Sequence, residues 1–242
     1  PSQIVAAAKG TYANQPITAQ FTGGALLSLR DDKPYPISLQ VANGPTKVSL
    51  TGTVQDPLAF AGADLKLDLA GPDMALLTPL TGIAIPKTPA YRIAGQLDYE
   101  AGSVKFTGLT GKVGSSDLEG SLQVDTTKAR PVLTADLQSR LVDLKALGGF
   151  IGADPGDAGK GTKAPTRRPN GRMLPDIPVD LPKLTFADVH LKYRAAHIQG
   201  RAQPLDNMRA DMDIVNGEVK LHPLAFGIGG GQISGTIDLA PQ

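Results

Sequence analysis

The 242-residue chain contains no cysteine and no tryptophan, and aromatic residues make up only 5% of it. Without cysteine the chain forms no disulfide bond and no thiolate metal site. With so few flat aromatic side chains, surfaces that stack on bases are not indicated. The composition therefore excludes a disulfide-stapled scaffold and disfavours a binder of single-stranded nucleic acid.

The charges are balanced, because the chain has 24 basic and 23 acidic residues and a formal net charge of +1. Long-range attraction of nucleic acid is therefore not indicated, and we expect no nucleic-acid partner. No apolar run approaches the roughly 20 residues that a membrane-spanning helix needs. The first residues also lack the pattern of a signal peptide. We expect any membrane anchor or export signal to lie outside this chain.

One stretch of sequence occurs twice. The segment Gly102–Gly120, GSVKFTGLTGKVGSSDLEG, aligns without a gap with Gly217–Gly235, GEVKLHPLAFGIGGGQISG, 115 positions later. A weaker third copy surrounds Gly52. Each copy alternates apolar and polar residues around glycine-rich turns, which predicts a β-hairpin with one apolar face. A hairpin alone is marginally stable, so the repeat predicts units added to a larger sheet.

Most of the remaining chain shows the same alternation, including ALLSLR (25–30), which predicts a further strand. The segments GPDMALLTPLTG (71–82) and LVDLKALGGFIG (141–152) instead have the apolar spacing of short helices. Residues 153–181 are rich in proline, glycine and charge, and they show no period, which predicts a disordered loop. The expected organisation is an N-terminal β-groove portion with short helices (1–152), the loop (153–181), and C-terminal strands that continue the same sheet (182–242).

Several of these segments, in this order, resemble one known family. The pieces are DMALLTPLTG, PKTPAYRIAGQL, GKVGSSDLEGSLQVD and RPVLTADLQSRLVDLKAL, followed by the tail VNGEVKLHPLAFGIGGGQISGTIDL. Together they resemble AsmA-like proteins of the Gram-negative envelope, which are related to TamB-type and repeating-β-groove lipid-transfer proteins. The resemblance implies a mainly β fold: a curved, mostly antiparallel sheet that forms an apolar, β-taco-like groove, with one or two short helices.

The resemblance also implies a function. We expect a periplasmic domain, anchored to the inner membrane by a segment outside this chain. It would hold acyl chains of phospholipid or another lipid for inner-to-outer membrane transport and envelope integrity. The residues expected to line the groove are Leu65, Leu67, Leu69, Ile93, Leu97, Leu118, Leu122, Val124, Leu133, Leu137, Ile233, Ile237 and Leu239.

No residue set indicates catalysis, a metal or a cofactor. The segment GDAGKGTK (156–163) lacks the order of residues of a phosphate-binding loop, and DMDIVNGE (211–218) lacks the spacing of a calcium loop. The three histidines His190, His197 and His222 have no ligand spacing, and the first two should point to opposite faces of one strand. We therefore expect a non-enzymatic protein.

Three alternatives stay open on the sequence. Alternation by itself favours an ordinary β-sandwich core with no ligand, whereas the family resemblance favours an open groove. The domain could instead be an assembly module that offers its sheet edges to client strands of outer-membrane proteins. The basic run in the loop is either a solvated linker or a contact for anionic lipid head groups. That run consists of Lys160, Lys163, Arg167, Arg168 and Arg172.

Overall fold

Thirteen β-strands form one sheet in the computed structural model, which describes residues 3–31, 33–58, 61–81, 87–100, 102–144, 187–200 and 203–239. The strands lie side by side in chain order. They are β1 (Gln3–Tyr12), β2 (Gln15–Ala25), β3 (Tyr35–Asn43), β4 (Thr46–Asp56), β5 (Ala61–Gly71), β6 (Tyr91–Glu100), β7 (Ser103–Val113), β8 (Ser116–Asp125), β9 (Val132–Asp143), β10 (Asp188–Gln199), β11 (Leu205–Val215), β12 (Glu218–Ile228) and β13 (Gly231–Leu239).

The sheet is open and mostly antiparallel, which confirms the predicted fold class. Every strand is antiparallel to the next except β9 and β10, which are parallel. A parallel pair needs a long connection, and here it runs through residues 145–186, outside the described part of the chain. Strands β10–β13 belong to the same sheet as β1–β9. The predicted division at residues 153 and 181 stays a prediction.

The repeated segments form equivalent hairpins, β7–β8 and β12–β13. Each hairpin has one irregularity in its pairing, between Phe106 and Leu109 in the first and between Leu221 and Leu224 in the second. These positions are 115 residues apart, like the repeat itself. The turn glycines also match, since Gly114 and Gly229 have left-handed φ angles of 59° and 54°. The repeat seen in the sequence is therefore a repeat of structure.

Helical structure is brief among the described residues. A 3-10 helix, Met74–Leu77, runs directly into the single α-helical turn α1, Thr78–Thr81, which confirms the first predicted helix. Of the second predicted helix, residues 141–143 belong to β9 and residues 145–152 lie outside the described residues.

The predicted strand at 25–30 is wrong, because Leu26–Arg30 is a 3-10 helix whose Leu27 is 90% exposed. Gly23 pairs with Ile37, so the residues between β2 and β3 must reverse the chain.

Candidate functional site

The pairing of the strands places one set of apolar side chains on one side of the sheet, which we name the apolar face. Residues directly opposite each other in neighbouring strands project to the same side. Leu65 is opposite Leu97, and Val124 is opposite Leu133. Following these pairs from strand to strand places all thirteen residues predicted to line a groove on this face. They are Leu65, Leu67, Leu69, Ile93, Leu97, Leu118, Leu122, Val124, Leu133, Leu137, Ile233, Ile237 and Leu239. Their contact with lipid stays a prediction.

Burial on the apolar face is incomplete. Leu65 is 1% exposed, but the other predicted residues of strands β5–β9 are only half-buried. The three predicted residues of β13, Ile233, Ile237 and Leu239, are exposed. A closed sandwich core would remove most of these side chains from water. The face is therefore apolar and partly accessible in the described structure.

Of the best-buried residues of this face, sequence reasoning predicted Leu65 but missed its neighbours. Val54 and Ala63 are 1% and 3% exposed, and together with Leu65 they form a cluster. Aromatic rings also cover glycines of neighbouring strands. A Cβ added to Gly71 would lie 2.9 Å from the hydroxyl oxygen of Tyr91. An aromatic side chain opposite a glycine often covers the space that the glycine leaves on the sheet. Such pairs can be found in the sequence only once the register of the strands is known.

The opposite side of the sheet, which we name the polar face, carries charged side chains that pair across strands. The Arg92 guanidinium lies 2.6 Å from the Asp68 carboxylate. Arg194 lies at the same distance from Asp136. Exposed pairs of this kind contribute little to stability, because water screens them. They show that this side of the sheet is charged and faces water, in contrast to the apolar face.

One carboxylate of the polar face is more strongly held. Partial burial acts to raise the pKa of Asp117, but hydrogen bonds from the backbone N–H groups of Leu141 and Arg140 and the Arg140 guanidinium outweigh it and lower the pKa below its usual value. The Leu141 nitrogen donates at 2.7 Å and the Arg140 nitrogen at 3.2 Å. Asp117 therefore fastens the start of β8 to the end of β9.

A short segment covers one end of the apolar face. Residues 72–81 follow β5, and the hydroxyl of Tyr12 in β1 donates to the Pro79 carbonyl at 3.0 Å. In the sheet β1 and β5 are four strands apart, which is about 19 Å at the usual spacing. The segment must therefore reach across the ends of the intervening strands.

Two side chains fasten this segment at its base. The Asp73 carboxylate accepts hydrogen bonds from the backbone nitrogens of Ala75 and Thr88, both at 2.9 Å. The Thr88 hydroxyl in turn accepts from the Met74 nitrogen at 3.0 Å. Beneath the segment Tyr91 is buried, and its burial raises the pKa of the phenol. The described parts of this connection, residues 72–81 and 87–90, are thus tied to each other and to β1.

The predicted head-group residues are not brought into this site by any described contact. Lys160, Lys163, Arg167, Arg168 and Arg172 all lie outside the described residues. Within the described part of the chain, no three histidine, aspartate or glutamate side chains converge as metal ligands. The same residues contain no helix with the length and apolarity to cross a membrane.

The fold and the face define a class: a one-layer, open β-sheet protein with one apolar and one charged side. Comparison with known proteins then gives the family. The AsmA family model matches residues 4–242. The AsmA family protein YhjG of Escherichia coli (strain K12) is 32% identical in an alignment of 246 positions, gaps included, which covers 96% of this chain. The chain belongs to the AsmA family, and it spans 36% of the length of YhjG. No solved structure matches it significantly.

Proposed function

We propose that this chain is a lipid-binding domain of the cell envelope, which holds acyl chains against its apolar face and passes them between membranes without catalysing a reaction. The observation that carries the proposal is the partial exposure of that face. Apolar side chains line strand after strand, yet most of them are neither sealed in a core nor left fully in water. A surface of this kind gains stability when an apolar ligand covers it.

The energetics fit an acyl chain. Each methylene removed from water contributes about 0.8 kcal/mol, so a chain of about sixteen carbons opposes transfer into water by about 13 kcal/mol. An apolar face replaces much of that loss by contact with leucine, isoleucine and valine side chains. Such a site needs no nucleophile, metal or general base. The lipid head group would stay hydrated at the open side.

The dimensions also fit. Thirteen strands at the usual spacing give an apolar face about 58 Å wide along the sheet, and it is crossed by strands of 9–12 residues. Residues 72–81 lie over one end of it. We infer that lipid moves across the strands, and that the covered end restricts escape along them.

Family membership supports the location in the envelope. We propose that the domain works in the periplasm and is held at the inner membrane by an anchor outside this chain. Under this proposal the basic run between Lys160 and Arg172 contacts anionic head groups, with each charge worth about 1 kcal/mol near a membrane surface.

The first experiment is native mass spectrometry with lipid extraction, on the protein purified gently from a bacterial envelope fraction. The expected result is phospholipid bound in a fixed ratio. A protein that is entirely free of lipid, and that takes up none from vesicles of phosphatidylethanolamine and phosphatidylglycerol, would contradict the proposal.

The second experiment tests which face holds the lipid. A photoreactive amino acid replaces Leu122 on the apolar face or, as the matched control, Gln123 on the polar face of the same strand. The expected result is cross-linking to lipid from position 122 alone. The double variant Leu122→Asp with Ile237→Asp should lose lipid, while Gln123→Asp with Thr236→Asp should keep it. Equal cross-linking from both positions would contradict the assignment of the face.

A second candidate function rests on a different observation. Within the described residues β1 and β13 each pair on one side only, so both edges of the sheet offer unpaired backbone groups. Exposed edges are templates for adding strands. The domain would then assist assembly of outer-membrane proteins. The same purification separates the two candidates, because a client would appear as bound peptide rather than as lipid.

A further inference from the structure

A shallow depression lies on the polar face where the strands β8 to β11 adjoin. Side chains with N–H donors dominate its lining, and they come from the three neighbouring strands β9, β10 and β11. They are Gln138, Arg140, Arg194, Asn207 and Arg209. All five residues are exposed. The sheet therefore gathers three guanidinium groups and two amide groups around one place on its hydrated side.

Two of these arginines lie directly opposite each other, Arg194 in β10 and Arg209 in β11. Opposite residues have Cβ atoms about 5 Å apart, and like charges at that distance destabilise a sheet. Arg194 has the carboxylate of Asp136 at 2.6 Å, but the residue on the other side of Arg209 is Ala225. Among the described residues no carboxylate pairs with Arg209. The positive charge of Arg209 is thus not balanced by its neighbours.

A comparable basic pair elsewhere on the polar face is neutralised from both sides. Arg92 in β6 is opposite Lys112 in β7. The Arg92 guanidinium lies 2.6 Å from Asp68, and Lys112 is opposite Asp117 in β8. The pair formed by β10 and β11 has an acidic neighbour on one side only. It therefore retains a repulsion that a bound anion would relieve.

Ion pairs hold two of the three guanidinium groups without using all of their donors. Arg140 Nε donates to the Asp117 carboxylate at 3.1 Å, and Arg194 Nη2 donates to the Asp136 carboxylate at 2.6 Å. A guanidinium has five N–H donors, so both side chains keep donors for a ligand. One carboxylate, that of Glu119, also lines the depression, 4.0 Å from Arg140, and it acts against an anion there.

We propose that this depression binds a phosphate group, with Arg194 and Arg209 as its principal contacts and Arg140 as a third positive charge. A guanidinium presents parallel N–H donors that match two phosphate oxygens. The amides of Gln138 and Asn207 supply further donors. A soluble phosphomonoester and an anionic lipid head group carry the same chemistry. The site is on the polar face, so the inference does not rest on lipid binding by the apolar face.

The test is a titration of the whole 242-residue protein with glycerol 3-phosphate, followed by NMR of the arginine Nε–H groups. Arg194 and Arg209 should show saturable shifts. Arg209→Gln should weaken binding about tenfold, because charge-assisted hydrogen bonds are lost. Its thermal unfolding temperature should stay the same or rise, since the repulsion from Arg194 is removed. Lys66→Gln is the matched control, because it removes one positive charge from the polar face of β5, and the affinity should change by less than about twofold.

Vesicles distinguish the two sources of the phosphate. Flotation with phosphatidylcholine vesicles that contain phosphatidic acid, by the unaltered protein and not by Arg209→Gln, would assign the phosphate to a lipid head group. Binding of glycerol 3-phosphate without flotation would assign it to a soluble ligand. Glu119→Gln should strengthen binding about twofold or more, because a repelling carboxylate is removed. Absence of binding to both probes, equal affinity of Arg209→Gln, or an equal loss in Lys66→Gln would each overturn the proposal.

Discussion

The hairpins β7–β8 and β12–β13 have the same design but different surroundings. Both have a pairing irregularity at the same place and a left-handed glycine in the turn. In the first hairpin β8 is covered on its outer side by β9, whereas among the described residues β13 has no outer neighbour. Leu122 is half-buried, and its counterpart Ile237 is 39% exposed.

This difference separates two kinds of information in the repeat. Turn glycines and alternating residues act within a hairpin, so they give the same local structure in both copies. Burial and close backbone contact come from the next strand, so they differ. Gly120 illustrates the second kind, because the carbonyl oxygen of Asp136 in β9 is the atom that excludes a side chain there.

The largest contrast is expected for alanine at the two equivalent glycines. Gly120→Ala places a methyl group 2.1 Å from a backbone oxygen, so β9 must move away and the free energy of unfolding should fall by about 3 kcal/mol or more. The methyl group of Gly235→Ala would have no heavy atom within 4 Å, so the free energy of unfolding should change by less than about 0.5 kcal/mol. Urea denaturation of both variants measures the contrast, and a Gly120→Ala protein that does not fold gives the same answer. Similar unfolding midpoints would show that the two environments do not differ in solution.

A smaller contrast is expected for truncation of the apolar face. Leu122→Ala removes packing against two neighbouring strands and should cost about 2 kcal/mol, the low end for a buried leucine. Ile237→Ala removes a side chain that packs on one side only and should cost less than about 1 kcal/mol. Denaturant unfolding measures both.

Sequence alone predicted the features that act over a few residues. The turn at Asn216 and Gly217 lies between β11 and β12 as predicted, with φ angles of 54° and 83°. Leu65, Leu67 and Leu69 share one face because side chains alternate along a strand. Between two strands joined by a tight turn, the turn also fixes the register, which places Leu122 opposite Phe106 on one face.

Features that depend on distant neighbours were missed. His190 and His197 are seven residues apart, so strict alternation placed them on opposite faces. Both instead pair with aspartates of β11 on the polar face, and this prediction is wrong. The alternation slips between them, since Ala195 and Ile198 are three residues apart and both buried in one cluster. The parallel pairing of β9 with β10 was likewise not predicted, because alternation along a strand does not reveal its direction relative to another strand.

A third contrast concerns acid stability, because Asp117 in the interior hairpin has Gln232 as its counterpart at the edge. The pKa of Asp117 is lower in the folded protein than in the unfolded chain, where it is near 4. The ionised carboxylate therefore stabilises the fold fully above pH 4, and this stabilisation is lost as the pH falls through the folded pKa. Asp117→Asn should therefore destabilise by about 1–2 kcal/mol at pH 7, and the difference from the unaltered protein should shrink below pH 4.

Urea unfolding at pH 7 and pH 3 measures this dependence. Glu119→Gln is the matched control. The Glu119 carboxylate is on the same strand, but it lies as far as 4.0 Å from Arg140 and the side chain is 44% exposed. It should change stability by less than about 0.5 kcal/mol at either pH. A cost of Asp117→Asn that stays constant down to pH 3 would mean that the ionised carboxylate is not the stabilising form.

The smallest effect is expected where the edge hairpin has an ion pair that the interior hairpin lacks. His222 lies 2.6 Å from Asp238, and their counterparts are Thr107 and Gln123. Both side chains of the pair are about half exposed, so Asp238→Asn should lower the free energy of unfolding by less than about 0.5 kcal/mol. A double-mutant cycle with His222→Gln isolates the pair. A coupling above about 1 kcal/mol would mean that the ion pair on the polar face contributes substantially to holding β13 in the sheet.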